Sequence, residues 1–286
     1  MANEIGITEV DATRQSLVAS IVQETLKQKS LLLPTVADYS SYAADGAKEV
    51  KIPRRAQFAA ADKSENTDLT AQELTFSSDT ITLNKHKAIY AKLERIAGVQ
   101  ANVQVQAEIL TEMTNELALQ VDKDLMTVLK AASAAAPDHR VSFANSPTNT
   151  IQQTDILEAR RLLNVQNVPM SDRFLVIPPD QEKAMLLLSD FVKADSYGSA
   201  GGLINGEVGR VYGFTVIMWN VSGSLASSEF LAYHKSHCGF AQQLTPEFET
   251  QKELKSVSTE FLLHHIYGTV TLDSGKRGVL FNSTGA

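Results

Sequence analysis

The sequence predicts an α+β protein that combines extended pieces with a compact α/β segment. Three observations support this fold class: a helical pattern of unusual length over 99–136, a charged hairpin pattern over 45–94, and alternating helices and strands over 151–226. A chain of 286 residues is long enough to bury a sizeable core, so these pieces can form one or two compact units.

Composition and charge argue against several classes of protein. Hydrophobic residues make up 43% and charged residues 21% of the chain, the balance of an ordinary globular protein. The net charge of −7 argues against a protein that wraps nucleic acid by neutralising its phosphates. No apolar run reaches the roughly 18 residues of a membrane span, and the N-terminus lacks a signal-peptide pattern. The single cysteine, Cys238, excludes a disulfide framework and fits a reducing cytoplasm.

The N-terminal part predicts a helix and then a long hairpin. Apolar residues recur at helical spacing over 13–30, and Pro34 ends that helix because proline lacks an amide hydrogen. Val50 and Ile52 then alternate with lysines in a short strand that ends at Pro53, and a second limb runs from about 74 to 90. Because two strands alone are marginal in water, we expect the hairpin to lie against another surface, in this chain or in another.

The pattern over 99–136 predicts one long helix with an apolar stripe. The stripe is formed by Val103, Ala107, Leu110, Leu117, Val121 and Leu125. Another face carries Glu108, Glu112 and Glu116 at a spacing of four residues. A two-metal helical site would also need histidine at E-x-x-H spacing, so a solvated or interface face is the favoured interpretation.

The segment over 151–226 predicts two helices and two strands. The first helix opens at Thr154 or Asp155, the strand "RFLVI" ends at a Pro-Pro pair, and Asp180 caps the second helix. A glycine-rich stretch precedes the strand "FTVIMWN". The remainder of the chain is strand-like, with a turn predicted at Asp273-Ser274-Gly275.

The glycine-rich stretch raises the possibility of a phosphate-binding loop. Gly206, Gly209 and Gly213 are spaced G-x-x-G-x-x-x-G, which matches neither the dinucleotide nor the P-loop pattern. The stretch opens a strand, so no helix N-terminus faces an anion. These glycines are therefore interpreted as turn residues, and a nucleotide-binding α/β enzyme that uses the loop 201–213 is kept as an alternative.

The histidines and the cysteine do not form a convincing catalytic or metal pattern. His234, His237 and Cys238 lie close together, and His264 and His265 form a second pair. Zinc sites usually take paired ligands from two separated clusters, but His234 and His237 would point to opposite faces of a strand, which spoils the geometry. Cys238 is interpreted as a buried structural thiol. We therefore predict no catalytic residues, no metal and no cofactor.

Several stretches of the chain, taken in order, carry a resemblance to a known family. These stretches are "GAKEVKIPRR" with "ITLNKHKAIYAKLERIA", then "AEILTEMTNELALQVDKDLMTVLKAAS", "RFLVIPPDQEKAMLLLSDF", "NGEVGRVYGFTVIMWN", and the closing strands from "HCGFAQQLTPEFETQ" onward. Over roughly 13–282 the arrangement resembles the major capsid (coat) proteins of tailed bacteriophages, whose fold is shared by encapsulin-type shells and herpesvirus capsid floors.

The resemblance implies a division of the chain into four parts. These are an N-arm over 1–44, an extended hairpin (E-loop) over 45–94, a peripheral (P) domain over 95–150 and 227–286 with a spine helix over 99–136, and an axial (A) domain over 151–226. Gly206, Gly209 and Gly213 would then shape turns of the A domain.

The resemblance also implies a function. The chain would be a structural protein, not an enzyme, that self-assembles as hexamers and pentamers into the icosahedral shell of a phage. The shell would enclose double-stranded DNA without sequence-specific binding, form in the host bacterial cytoplasm, and end in the virion. A separate scaffolding protein and a portal are implied as partners during assembly. A shell protein of an encapsulin-like nanocompartment is the alternative.

The N-arm and the hairpin would then be stable only when laid across adjoining subunits, an arrangement that produces heterologous contacts and closed shells. Charges on the hairpin can set register and exclude wrong partners. The candidates for contacts between subunits are Lys48, Lys51, Arg54 and Arg55 near the base of the hairpin, and Asp62, Glu65 and Asp68 at its tip.

Overall fold

The computed structural model describes the chain from residue 30 to residue 283, with gaps. The described residues are 30–43, 46–54, 76–100, 105–135, 139–145, 148–187, 209–221 and 223–283, with single positions between 60 and 73. The helix predicted over 13–30 lies outside them, apart from its last residue.

The described residues form four helices and twelve strands, which confirms the α+β fold class. In chain order these are β1 (Ala37–Asp38), β2 (Glu49–Pro53), β3 (Ser78–Thr82), β4 (Lys85–Glu94), α1 (Arg95–Gln100), α2 (Val105–Ala135), β5 (Arg140–Ser142), α3 (Gln153–Val165), β6 (Arg173–Ile177), α4 (Pro179–Leu186), β7 (Arg210–Val211), β8 (Phe214–Met218), β9 (Phe230–His234), β10 (Cys238–Glu253), β11 (Ser258–Thr271) and β12 (Gly278–Asn282).

The strands are arranged in two sheets and a ribbon. One sheet has the order β1-β10-β11-β4, the second has the order β5-β12-β9-β6-β8-β7, and β2 pairs with β3 alone. The second sheet combines strands from both sides of residue 226, because β9, which follows the α/β segment, pairs with β6 of that segment and with β12. Backbone hydrogen bonds are therefore continuous across the point where the sequence predicted a change of domain.

The described part of the predicted long helix is helical. Helix α1 spans Arg95–Gln100 and α2 spans Val105–Ala135, so residues 99–100 and 105–135 agree with the prediction of a helix over 99–136, and residues 101–104 and 136 lie outside the described residues. The buried stripe of α2 is formed by Met113, Leu117, Val121, Leu125 and Leu129. Glu108, Glu112 and Glu116 are exposed, as predicted for a solvated or interface face.

Helix α2 connects the two sheets. Its N-terminal half packs through Met113 and Leu117 on Leu93, Phe261 and Leu263 of β4 and β11. Its C-terminal half lies in a second core with side chains of β9 and β12. Helices α3 and α4 contribute to a separate core with side chains of β6, β8, β9 and β12. The six-stranded sheet is thus covered on both faces.

The predicted N-caps of α3 and α4 are wrong by a few residues. Gln152 caps α3, and Asp155 lies inside the first turn, where its carboxylate accepts hydrogen bonds from the amides of Gln152 (2.8 Å) and Ala144 (2.9 Å). Pro178 caps α4, and Asp180 lies in the first turn. The reason is that proline suits the first helical position, so Pro179 begins the helix.

Candidate subunit interface

The base of the extended hairpin is packed against its own subunit. Val50 and Ile81 are paired across β2 and β3, and both are buried together with Leu83. These side chains form a small core with Ala43 and with Ala241 of β10. The sequence did not indicate whether the hairpin would be covered by its own chain or by another. The base of the hairpin is covered by its own chain. We call residues 48–54 and 78–83, which contain β2 and β3, the neck of the hairpin.

Two glycines of the four-stranded sheet let the neck approach closely. A β-carbon on Gly268 would stand 2.3 Å from the Thr82 carbonyl oxygen, inside any allowed contact distance. A β-carbon on Gly239 would stand 3.2 Å from the terminal methyl of Ile81. Glycine is therefore required at 268 because backbone lies directly against backbone.

An ion pair joins the two limbs of the neck, and both of its members also bond to the turn before β12. The Arg54 guanidinium donates to both oxygens of Asp79, from Nε at 3.0 and 2.9 Å. Asp79 also accepts from the Asp273 amide (3.0 Å), and Arg54 donates to the Ser274 hydroxyl (3.2 Å). Burial raises the pKa of Asp79, but the bonds from Arg54 and from the Asp273 amide outweigh it, so this pKa lies below its ordinary value. The turn has positive φ at Asp273, Ser274 and Gly275, as the sequence predicted for a turn.

The predicted contact candidates fall into two groups. Arg54 is bound within its own subunit, which local sequence did not show because its partner Asp79 lies on the other limb. Lys48 and Lys51 are exposed on the neck, and Asp62, Glu65 and Asp68 are exposed toward the tip. In the described part of the chain these five form no ion pair, so their role stays a prediction. Arg55 lies outside the described residues.

The beginning of the segment over 30–43 is anchored on α2. Asp122 accepts hydrogen bonds from the Ser30 hydroxyl (2.8 Å) and from the amides of Leu31 (2.7 Å) and Leu32 (3.3 Å). Burial raises the pKa of Asp122 above its ordinary value, and these bonds offset part of the effect. Leu32 is fully buried in the core beneath. Sequence reasoning missed Asp122, because a single aspartate within a helical pattern gives no sign of a long-range partner.

Beyond this anchor the chain crosses toward the four-stranded sheet. The Thr35 hydroxyl lies 2.6 Å from the Tyr233 hydroxyl of β9. β1 then pairs in parallel with β10, and the Tyr39 amide donates to the Phe240 carbonyl (2.8 Å). Residues 30–43 therefore form a strap held at several points, and its first residue, Ser30, lies beside α2.

The glycine-rich stretch forms a turn between strands where it is described. Tyr212 and Gly213 connect β7 and β8, with φ of 47° and 91°. Positive φ at both central residues is the conformation of a type I′ hairpin turn. Gly209 precedes β7, and its carbonyl accepts from the Val216 amide (3.2 Å). Gly206 lies outside the described residues.

The histidine and cysteine cluster is part of the core. Burial raises the pKa of the Cys238 thiol to about 12 and lowers that of His237 to about 4. Cys238 is a buried free thiol, as predicted. The argument that His234 and His237 lie on opposite faces of one strand is wrong, because β9 ends at His234 and His237 lies in a 3₁₀ turn, Lys235–His237.

Comparison with known proteins identifies the family. A model of a phage capsid protein family matches residues 79–280, most of the chain. The chain belongs to this family. No curated protein sequence matches this capsid protein significantly.

Solved structures of phage capsids are similar to this capsid protein over nearly its whole length. A chain of Mycobacterium phage Che8 is 21% identical and superimposes with a TM-score of 0.73, covering 94% of this chain and 97% of that one. The capsid structure of the cyanophage P-SCSP1u is 13% identical with a TM-score of 0.76, over 94% and 93% of the two chains. The mature capsid of bacteriophage PhiM1 is 13% identical with a TM-score of 0.70, over 93% and 90%. This capsid protein therefore has the tailed-phage capsid fold.

Membership of this family also decides among the functions that the sequence suggested. A major capsid subunit that forms a phage shell is the function that membership supports, and the nucleotide-binding and nanocompartment alternatives are not favoured. Within the described residues, no helix combines the length and apolar character needed to cross a membrane.

Proposed function

We propose that this capsid protein completes its fold on neighbouring copies of itself, as the major subunit of an icosahedral shell around a phage genome. The main support for the proposal is the difference between the base of the hairpin and its tip. Its neck is fastened to its own sheet by Arg54, Asp79 and the close contact at Gly268, while its described tip residues are exposed. A base fastened to its own sheet, with exposed residues toward the tip, is suited to contact with a second subunit.

The four-part division implied by the resemblance fits this role. Of the N-arm over 1–44 and the hairpin over 45–94, the parts outside the strap, the neck and β4 would reach adjoining subunits, and the P and A domains would form the wall. The P domain would comprise 95–150 and 227–286, and the A domain 151–226. Because a contact between two different surfaces repeats from copy to copy, such contacts can close into rings of five and six and then into a shell.

The charges of the subunit support two parts of the proposal: that the shell encloses DNA, and how neighbouring copies contact each other. A net charge of −7 on each subunit limits adhesion of packaged DNA to the wall, so DNA would be enclosed without sequence-specific binding. Lys48 and Lys51 at the neck, with Asp62, Glu65 and Asp68 toward the tip, would set the register between copies. Assembly in the host cytoplasm, a separate scaffolding protein and a portal remain part of the proposal.

Deleting residues 56–73 tests the proposal. The deletion joins Arg55 to Leu74, which leaves a short loop between the Arg54 amide and the Ser77 carbonyl that it contacts at 2.8 Å. The neck and its ion pair are retained. We expect a soluble, folded subunit by circular dichroism that forms no stable shells by electron microscopy and light scattering.

A variant with a glycine-serine segment of equal length at 56–73 is the matched control for loop length. We expect it also to fail to assemble, because the side chains of the tip would make the contact. Normal shells from the deletion would contradict an intersubunit role for the tip. Genomic DNA in purified wild-type particles would support a phage shell, whereas a co-purifying enzyme would indicate a nanocompartment.

A further inference from the structure

The face of the four-stranded sheet that points away from α2 carries an unusual group of side chains. Phe261 and Leu263 of β11 pack toward α2. Because successive side chains of a strand point to opposite faces, His264 lies on the outer face. Glu247 of β10 is the cross-strand partner of His264, and Glu249 lies two residues further along the same face.

The group is compact and partly open to solvent. One carboxylate oxygen of Glu247, one of Glu249 and one ring nitrogen of His264 all lie within 4.8 Å of one another. The separation from His264 Nε2 to Glu249 Oε1 is 3.9 Å. Both glutamates are exposed, and the histidine is half-buried.

An irregularity in β10 places these side chains together. The pairing passes from Leu244 opposite Ile266 to Glu247 opposite His264, so Thr245 and Pro246 form a bulge. A bulge of this kind changes which way the following side chains point. The two glutamates therefore meet the histidine because of the backbone of β10, not through a chance rotation of long side chains.

His264 makes an edge-to-face ring contact with His86, but hydrogen bonds do not account for the group. His264 Nδ1 is buried and forms no hydrogen bond in the described residues, and 3.9 Å is too long for a hydrogen bond from Nε2. Among the described residues, neither Glu247 nor Glu249 forms an ion pair with a lysine or an arginine. Glu253, further along β10, differs because its carboxylate lies 2.5 Å from the Lys92 amine.

We infer that Glu247, Glu249 and His264 form a binding site for a divalent transition-metal ion, with Zn²⁺ as the best match. Carboxylate oxygen and imidazole nitrogen are both zinc ligands, at about 2.0–2.2 Å. Tetrahedral geometry at that length needs ligand atoms about 3.4 Å apart, which the exposed glutamates reach by a small rotation. The imidazole favours zinc over magnesium or calcium, which bind through oxygen. The ion would relieve the repulsion between the two carboxylates, and its fourth position would be open to water.

Titration of the purified full-length chain with ZnCl₂ by isothermal calorimetry tests the site. We expect saturable binding of one ion per subunit, weakened at least tenfold in His264→Gln and in the double variant E247Q/E249Q. Substitution of Co²⁺ should give visible absorption bands that are lost in the same variants.

Two controls make the result specific. His86→Gln removes another imidazole, whose ring centroid lies 5.6 Å from that of His264. Glu116→Gln removes an exposed carboxylate on α2. Both should bind Zn²⁺ like the wild type, and all variants should retain the wild-type circular dichroism spectrum. No saturable binding, equal binding by His264→Gln, or loss of binding in His86→Gln would overturn the assignment.

Discussion

Gly268 of β11 lies directly against Thr82 at the end of β3, so that a β-carbon at 268 would stand 2.3 Å from the Thr82 carbonyl oxygen. This contact joins the hairpin to the sheet by backbone alone. The obstructing atom cannot rotate away as a side chain would, so the position tolerates no side chain without movement of the strand.

Gly268→Ala should therefore displace the neck. Overpacking of this kind lowers the free energy of unfolding by about 1–3 kcal/mol. Because the obstructing atom belongs to the backbone, we expect a loss at the upper end of this range. Thermal unfolding of the subunit measures the loss. Gly239→Ala is the matched control, because its β-carbon would meet the flexible end of Ile81 at 3.2 Å, and it should lose clearly less. Equal stability of Gly268→Ala and wild type would show that the neck does not lie where we describe it.

The ion pair between Arg54 and Asp79 should contribute measurably to the attachment of the neck. A double-mutant cycle with Arg54→Ala and Asp79→Ala should give a coupling free energy of about 1–2 kcal/mol in urea unfolding, because the bonds are charge-assisted and Asp79 is 10% exposed. The exposed pair of Arg161 and Glu158 on α3 serves as the control and should couple clearly more weakly, because solvent screens its charges. Equal coupling in the two pairs would contradict a special role at the neck.

Loss of the Asp122 anchor should release the strap. Asp122→Asn replaces one acceptor oxygen by an amide donor, so part of the bonding to Ser30, Leu31 and Leu32 is lost. We expect a cost of about 1–3 kcal/mol and faster proteolysis between residues 30 and 43. Asp180→Asn, which changes an exposed carboxylate in the first turn of α4, should leave the proteolysis rate unchanged. A rate that rises equally in both variants would refute the anchor.

Acidification should destabilise the subunit through His237. Its pKa of about 4 lies below the ordinary value because burial disfavours the charged ring, so the unfolded chain takes up a proton at higher pH than the folded one. Stability is fully present above about pH 6.5 and falls as pH drops toward 4, by about 1.4 kcal/mol per pH unit for this group. Urea unfolding between pH 7 and pH 5 should show a shallower dependence on pH in His237→Gln than in the wild type. The same dependence in both would contradict a neutral buried His237.

Features with a local signature could be predicted from the sequence. Strand alternation at Val50 and Ile52 placed β2, Pro178 and Pro179 marked the end of β6, and the turn at 273–275 was recognised from its residue types. The buried stripe of α2 follows the 3.6-residue period where its side chains are described. Each of these depends on neighbours within a few residues, which is the range over which a pattern carries information.

Features that depend on distant residues could not be predicted. Asp79 pairs with Arg54 on the opposite limb of the hairpin, and Asp122 accepts a hydrogen bond from the amide of Leu31, which is distant in the sequence. Nothing near either aspartate in the sequence therefore indicates its partner. The caps of α3 and α4 were misplaced because an aspartate inside the first turn of a helix has the same sequence signal as one at the cap. The group of Glu247, Glu249 and His264 was missed because a bulge brings it together.

We propose that the hairpin has its base on one subunit and its tip on a neighbouring subunit. Cryo-electron microscopy of particles assembled from the full-length chain measures this most directly. We expect density traced from the neck at Arg54 and Asp79 to continue through residues 56–73 onto a neighbouring subunit. Density that turns back and packs those residues on the subunit that carries the neck would contradict it.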